Sequence, residues 1–253
     1  MSQSNDAFVA YQTELRYRVD NRPEVIGLVF LGSSAALHRV DEHSDHDFFL
    51  VVKPGFGEQY RKNLDWLPRH QEILLAPRET AHGLKVVYKD LRLLEFAVFE
   101  DQELELAAAN DFAVVLDKAD ITSRMEAIAK RSVPRKLDAE AEFELFLALI
   151  QIGVGRFRRG ERIAAEQHLK IYAVEKLITL FRHYKPLQVS SADSLNPFRR
   201  FEFDYPNIAR EINQLQLQPG DTCASGLLEI TLTLPITEVE KEKLHHIKKG
   251  MGL

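Results

Sequence analysis

Gly32-Ser33-Ser34-Ala35-Ala36-Leu37-His38-Arg39-Val40-Asp41-Glu42-His43-Ser44-Asp45-His46-Asp47-Phe48-Phe49-Leu50-Val51-Val52 joins a glycine-serine turn to a pair of aspartates and an apolar strand. It is preceded by Val25-Ile26-Gly27-Leu28-Val29-Phe30-Leu31, a short apolar run that reads as a buried strand entering a tight Gly-Ser turn. Ten residues after that turn comes Ser-Asp-X-Asp, which runs into a second apolar strand. Asp45 and Asp47 sit two apart where this strand begins, so an extended backbone directs both carboxylates to one face of the sheet. Two like charges held that close are unfavourable without a cation between them. Hard oxygen ligands on a rigid strand suit Mg²⁺, which keeps further positions for water and phosphate. The Gly-Ser turn supplies the complementary half. A residue without Cβ lets backbone N–H groups approach a phosphate, and a serine hydroxyl adds a donor, so Gly32 and Ser33 are the expected triphosphate holders.

Outward from this segment the first half alternates helix and strand. Ala7 to Val19 reads as a helix, and further strands are expected at Asp47 to Val52, Glu72 to Leu75, Leu84 to Tyr88 and Leu91 to Phe99. Gly83 to Phe99 reads as a hairpin about Lys89-Asp90. Its return strand carries Glu95, which shares a face with Ala97 and Phe99 while Leu94, Phe96 and Val98 take the other. A carboxylate in such a strand is costly to bury alone, so a metal, a cation or an open cleft must accompany it. If this strand lies beside that of Asp47 with matching facing, Glu95 is the third carboxylate of the site.

The texture changes after Asp117. Lys130-Arg131-Ser132-Val133-Pro134-Arg135-Lys136 is polar and basic with a helix-interrupting proline, and the domain boundary is expected there. From Leu137 the pattern is helical, with Phe143, Phe146, Ile150 and Gly153 on one stripe, a break at Arg159-Gly160-Glu161, then Leu169, Ala173, Leu177, Leu180 and Tyr184. Lys185 to Pro197 reads as loop, Tyr205 to Leu217 as a helix capped by Asp204, and Glu238 to Lys249 as a final amphipathic helix. The fold class is therefore α+β. Residues 1–130 are expected to form a mixed β-sheet flanked by helices, and residues 137–253 a helical bundle, for which substrate binding is the expected role.

Composition bounds the function. The 253 residues contain 45% apolar and 28% charged residues, as in an ordinary folded protein. One cysteine, Cys223, excludes an intrachain disulfide and suits a reducing cytoplasm. Thirty-three Lys and Arg against 38 Asp and Glu give a net charge of −5, which disfavours nucleic acid as a partner held by overall field. The longest apolar stretch, Val25 to Leu37, is 13 residues, short of the roughly 20 a membrane span needs, so no membrane partner is expected.

The Gly32-Ser33 turn, Asp45-His46-Asp47 and the strand glutamate Glu95 together resemble the signature of the polymerase-β-like nucleotidyltransferases, specifically the aminoglycoside and lincosamide nucleotidyltransferases. The motif resemblance spans about Val25 to Phe99, and the helical half is similar in layout to that branch's C-terminal bundle. It implies Mg²⁺ held by Asp45 and Asp47, a nucleotide bound by Gly32, Ser33 and Ser44, and catalysis by Asp45, Asp47 and Glu95. Many relatives carry aspartate at the third position, which leaves open whether Glu95 ligates metal or takes a proton, its longer reach favouring the base. The implied reaction is in-line attack by an acceptor hydroxyl on the α-phosphorus of a nucleoside triphosphate, with ATP the expected donor of AMP and pyrophosphate leaving. The expected acceptor is a small molecule bearing a hydroxyl, of aminoglycoside or lincosamide type. The alternatives are transfer to a protein or tRNA, and a nucleotide-binding regulatory module without turnover. The likeness to such enzymes also suggests a homodimer.

Other polar residues have plainer readings. His38, His43 and His46 are expected to be solvent-exposed loop histidines. Arg156, Arg158, Arg159 and Arg162 read as a solvated basic turn, and Glu142 and Glu144 as helix-surface acids. Asn196 to Glu202 reads as a packed loop, and Cys223 is placed in a polar loop.

Overall fold

The structure is a computed structural model that describes residues 3–132, 137–188, 193 and 195–253. The chain divides into two compact units, Met1–Val133 and Pro134–Leu253. Residues 133–136, part of the stretch where the sequence places the boundary, lie outside the described residues.

In the first unit, the strands are β1 (Val25–Leu31), β2 (His46–Val52), β3 (Ile73–Leu75), β4 (Gly83–Tyr88), β5 (Leu93–Glu100) and β6 (Phe112–Asp117), in the sheet order β3-β4-β5-β2-β1-β6. The mixed character comes from one pairing. β2 runs parallel to β5, whereas the other neighbours are antiparallel. β1 and β2 are buried over nearly their whole length, and this is why both read as continuous apolar runs.

Each face of the sheet has its own core. Helix α1 (Gln3–Asp20) covers one with Tyr11, Leu15 and Val19, against Phe48, Leu50, Leu94, Phe96 and Trp66. Phe48 and Phe96 stack at 4.8 Å between ring centroids, and each such buried side chain contributes about 1.5–3 kcal/mol. The other face packs Val29, Phe49, Val51 and Phe99 against Ile121, Met125 and Ile128 of a helix at Ile121–Arg131. That helix approaches closely because position 27 lacks a side chain. A Cβ on Gly27 would lie 2.8 Å from Ile121 Cγ1.

The helix at Ile121–Arg131, a short helix at Gly57–Lys62 and strand β6 are additions to the expected elements. In chain order the helices are α2 (Gly32–Ala35), α3 (Gly57–Lys62) and α4 (Ile121–Arg131). Asp117 starts α4 by accepting from the backbone of Ile121 and Thr122 and from the Thr122 hydroxyl, 2.6 Å away. The Thr122 hydroxyl, with the backbone donors, holds this carboxyl down to about 2.

The second unit is helical: α5 (Ala139–Arg158), α6 (Arg162–Glu166), a π-helical segment at Gln167–Ala173, α7 (Val174–Tyr184), α8 (Phe201–Asp204), α9 (Pro206–Gln216), α10 (Gly220–Leu232) and α11 (Glu238–Met251). The Asp138 side chain caps α5 by accepting from Ala141 N at 3.1 Å. The expected stripe of Phe143, Phe146, Ile150 and Gly153 is buried, and the break comes at Gly160, whose φ is +83°. Leu169 fills the space left by Gly153, where a Cβ would sit 2.5 Å from Leu169 Cγ.

Two expectations are corrected here. Asp204 closes α8 and does not cap α9, which begins at Pro206 after Tyr205, because proline suits a first-turn position whose N–H has no helical partner. Cys223 is fully buried in α10 and not in a polar loop. The run Asp221-Thr222-Cys223-Ala224-Ser225 looks polar in sequence, yet its small residues fit where helices pack tightly.

Candidate active site

Four adjacent strands bring the site together. Asp47 on β2 pairs in register with Glu95 on β5, and Glu95 pairs in register with Lys85 on β4. Residues paired this way share one face, so Asp47, Glu95 and Lys85 form a row across the sheet. Glu95 shares this face with Ala97 and Phe99, which pack in the α4-side core, while Leu94, Phe96 and Val98 lie in the other. Asp45 lies just ahead of β2. One carboxylate oxygen from each of Asp45, Asp47 and Glu95 falls within 4.8 Å of the others, and all three residues are half-buried. Among the described residues, this is where metal-capable side chains gather in a group of three.

The backbone around the aspartates is held by Ser34. Its buried hydroxyl accepts from Asp47 N at 3.0 Å and donates to the Asp45 carbonyl at 3.4 Å, while Gln12 Nε2 donates to the Ser34 carbonyl at 3.0 Å. Ser34 therefore ties the start of β2 to the turn after β1. That turn has Gly32 at φ +52°, a left-handed conformation that side chains disfavour, and a Cβ there would lie 3.4 Å from Asp47 Oδ2. Arg39 Nη2 donates to the Gly32 carbonyl at 2.8 Å and pairs with Asp111 at 2.9 Å, and Gly32 N donates to the Asp111 carbonyl. The glycine is thus held from both sides beside an aspartate oxygen. Ser33 follows it, half-buried, at the start of α2.

Glu95 is neither fully buried nor alone. Lys85 Nζ stands 2.5 Å from Glu95 Oε1 and 3.3 Å from Glu79 Oε2, and the hydrogen bond to Glu95, with the one to Glu79, raises the ammonium pKa above its ordinary value. The cation that the strand pattern calls for is therefore this lysine. Lys85, Ser34, Gln12 and Arg39 escape sequence reasoning. The signal for Lys85 is its place opposite Glu95 in the hairpin, and a chain read strand by strand does not weigh that.

The remaining candidates separate cleanly. Ser44 exchanges hydrogen bonds with Asp41 in a local turn, at 2.9 Å from Asp41 N and 3.1 Å to Asp41 Oδ1. His38 and His43 are exposed, but His46 is buried on the opposite face, stacked on Phe8 at 3.9 Å. The expected exposure of His46 is thus corrected. Alternation along β2 turns it to the α1 side, away from Asp45 and Asp47, and burial lowers its pKa to about 3. Cys223 is pushed up to about 11 by burial and stays a thiol.

In the helical unit, Arg156 pairs with Glu161, Arg158 with Asp221, and Arg159 with Glu161. Glu142 pairs with Lys176 at 3.1 Å, and Glu144 with Lys243 at 2.6 Å. Phe198 and Phe201 pack on the helical core as expected, but Phe201 and Glu202 belong to α8 and not to a loop. Among the described residues no helix is long and apolar enough to cross a membrane.

The donor set of three hard carboxylate oxygens, beside a turn kept free of a side chain, fits a divalent cation. No family profile and no curated protein matches this chain. Solved structures do. The chain is similar to a nucleotidyltransferase-like protein from Exiguobacterium sibiricum, at 14% identity over 90% of this chain and 74% of that one, with a TM-score of 0.36. It is also similar to an aminoglycoside 6-adenyltransferase from Bacillus subtilis, at 14% identity over 99% of each chain and a TM-score of 0.32. A third is the Escherichia coli CdnC, solved with a HORMA partner, at 11% identity over 92% and 91% of the two chains and a TM-score of 0.34. Likeness this distant transfers neither substrate nor residue roles.

Proposed function

We propose that the protein is a Mg²⁺-dependent nucleotidyltransferase that moves a nucleoside monophosphate, AMP from ATP, to a hydroxyl of a small molecule. The observation that carries this reading is the in-register pairing of Glu95 with Asp47, which joins both to Asp45 in one acidic group beside the Gly32 turn. Three carboxylates that converge beside a single lysine still repel unless a further cation offsets them.

In this reading Asp45 and Asp47 hold the ion and Glu95 completes the acidic rim. A bound divalent ion supplies charge neutralisation on the phosphate oxygens. Gly32 and Ser33 present the turn's backbone and hydroxyl to the triphosphate, with Ser44 on the loop leading into the aspartates. In-line displacement requires the leaving pyrophosphate and the attacking hydroxyl to lie on opposite sides of the α-phosphorus. The strand order β1, β2, β5 sets the Gly32 turn on one side of Asp47 and Glu95 on the other. In this reading Glu95 borders the acceptor side, where a carboxylate can take the hydroxyl proton.

The test is pyrophosphate release from ATP, GTP, CTP and UTP with Mg²⁺, across aminoglycosides, lincosamides and polyols, with Asp47→Asn as the blank. Release that needs both nucleotide and acceptor and is lost in the variant supports the reading. Absence of triphosphate binding by calorimetry in the presence of Mg²⁺ overturns it.

A further inference from the structure

Lys85 stands in a position that the proposed reaction does not require. It lies directly across the β4–β5 ladder from Glu95, so the backbone itself sets the two side chains on one face, next to each other. Its ammonium is 2.5 Å from one Glu95 oxygen, and Glu79 holds it from a second direction at 3.3 Å. The Lys85 side chain is 36% exposed, so a lysine is not needed there to fill space. The same Glu95 carboxylate belongs to the triad whose oxygens converge within 4.8 Å. A cation fixed to one member of an acidic cluster does two things. It restricts that carboxylate to one orientation, and it opposes the entry of a second cation.

We infer that Lys85 is a positioning residue of the acidic site: by pairing with Glu95 it orients the third carboxylate and weakens the hold of the nucleotide-free triad on a divalent ion. The inference rests on the reading of Asp45, Asp47 and Glu95 as a metal site. Its chemical consequence is an order of loading. A triad partly neutralised by its own lysine retains a free ion poorly and takes it up together with the phosphates of the nucleotide, whose negative charge outweighs the ammonium.

Manganese alone is the probe, with free Mn²⁺ followed by its paramagnetic resonance signal and no nucleotide present. A unit charge about 5 Å from a divalent ion, in a setting close to water and screened by salt, changes the affinity by about three- to tenfold. Lys85→Met and Lys85→Gln should each tighten Mn²⁺ binding by that factor, while their metal-free melting temperatures fall, because the carboxylates have lost their counter-charge. Lys85→Arg keeps the charge and should bind Mn²⁺ within about twofold of the unaltered protein.

A lysine that only secured β4 to β5 would lower the melting temperature and leave Mn²⁺ affinity alone. Equal or weaker Mn²⁺ binding by the two neutral variants overturns the inference, as does Lys85→Arg behaving like them. Asp47→Asn separates the two levels. If it binds Mn²⁺ as the unaltered protein does, the metal site itself is wrong and the inference falls with it. If it loses Mn²⁺ while Lys85→Met and Lys85→Gln leave affinity unchanged, only the role of Lys85 is wrong.

Discussion

Among the described residues, the two units of this chain both pair most of their charges, and they differ in one acidic cluster. In the helical unit the acids and bases that stand out in sequence meet partners of opposite sign, such as Glu142 with Lys176, Glu144 with Lys243 and Arg158 with Asp221. Its core, from Phe143 to Leu244, is largely apolar, with Cys223, Thr231 and Glu240 as buried polar groups. In the sheet unit three carboxylates converge on one face, and the lysine beside them pairs with Glu95. Partially exposed ion pairs contribute about 0–1 kcal/mol each and are replaceable. Like charges brought together from two chain segments cost free energy, and they persist where a ligand offsets the cost. Charge count therefore says little about where chemistry resides. Charge of one sign gathered by backbone register says much more.

The hardest blow to this contrast comes from Asp45→Asn and Asp47→Asn. Each should abolish turnover with the fold retained, and metal-free Asp45→Asn should melt at the same temperature as the unaltered protein or higher, because one repelling charge is gone. Turnover near the unaltered rate in either variant would place the acidic group with the replaceable pairs.

Glu95→Gln is next in size. As a proton acceptor Glu95 contributes on the order of 10²–10⁴-fold in rate, with nucleotide and Mg²⁺ still bound. As a metal ligand its loss should also raise the Mg²⁺ concentration needed for half-maximal rate. Single-turnover rates measured against Mg²⁺ concentration distinguish the two roles, and an unaltered rate removes Glu95 from the site.

The helical unit is best probed through packing. Gly153→Val forces side-chain atoms into the space of Leu169, and overpacking of this kind costs about 1–3 kcal/mol. Chemical denaturation should show that loss, with no change in Mn²⁺ binding to the sheet unit. A change in Mn²⁺ affinity would break the comparison, because a packing change in the helical unit would then act on the acidic site.

The smallest effect concerns Asp117, which starts α4 beneath the sheet. Removing such a cap costs about 1 kcal/mol, so Asp117→Ala should lower stability by that amount at neutral pH. The folded-state pKa of Asp117, about 2, lies below the ordinary value near 3.9. Its contribution is therefore present above about pH 4 and is lost as pH falls toward 2. The stability difference between the unaltered protein and Asp117→Ala should shrink over that window, and a constant difference would show that the carboxylate's charge is not what caps the helix.

Local pattern determined much of this protein. The continuous apolar runs of β1 and β2 mark central strands, the alternation about Glu95 assigns its face, and the stripe from Phe143 to Gly153 with the Gly160 break defines α5 and its end. The spacing of Asp45 and Asp47 is enough to set both on one side of the sheet. All of these depend on residues a few positions apart, whose relative directions follow from the period of a helix or strand.

Tertiary structure decided what depends on neighbours distant in sequence. That β5 lies parallel to β2 brings Glu95 to Asp47, whereas Lys85 reaches Glu95 through the local β4–β5 hairpin. Ladder hydrogen bonds are made by backbone groups common to every residue, so a strand does not carry the address of its partner. The same holds for burial. His46 looks like a loop histidine until α1 supplies Phe8 and Tyr11 against it, and Cys223 looks polar by its neighbours until α10 packs into the helical core. Which face of an element meets another is settled by the summed packing of the whole unit, and no single segment contains it.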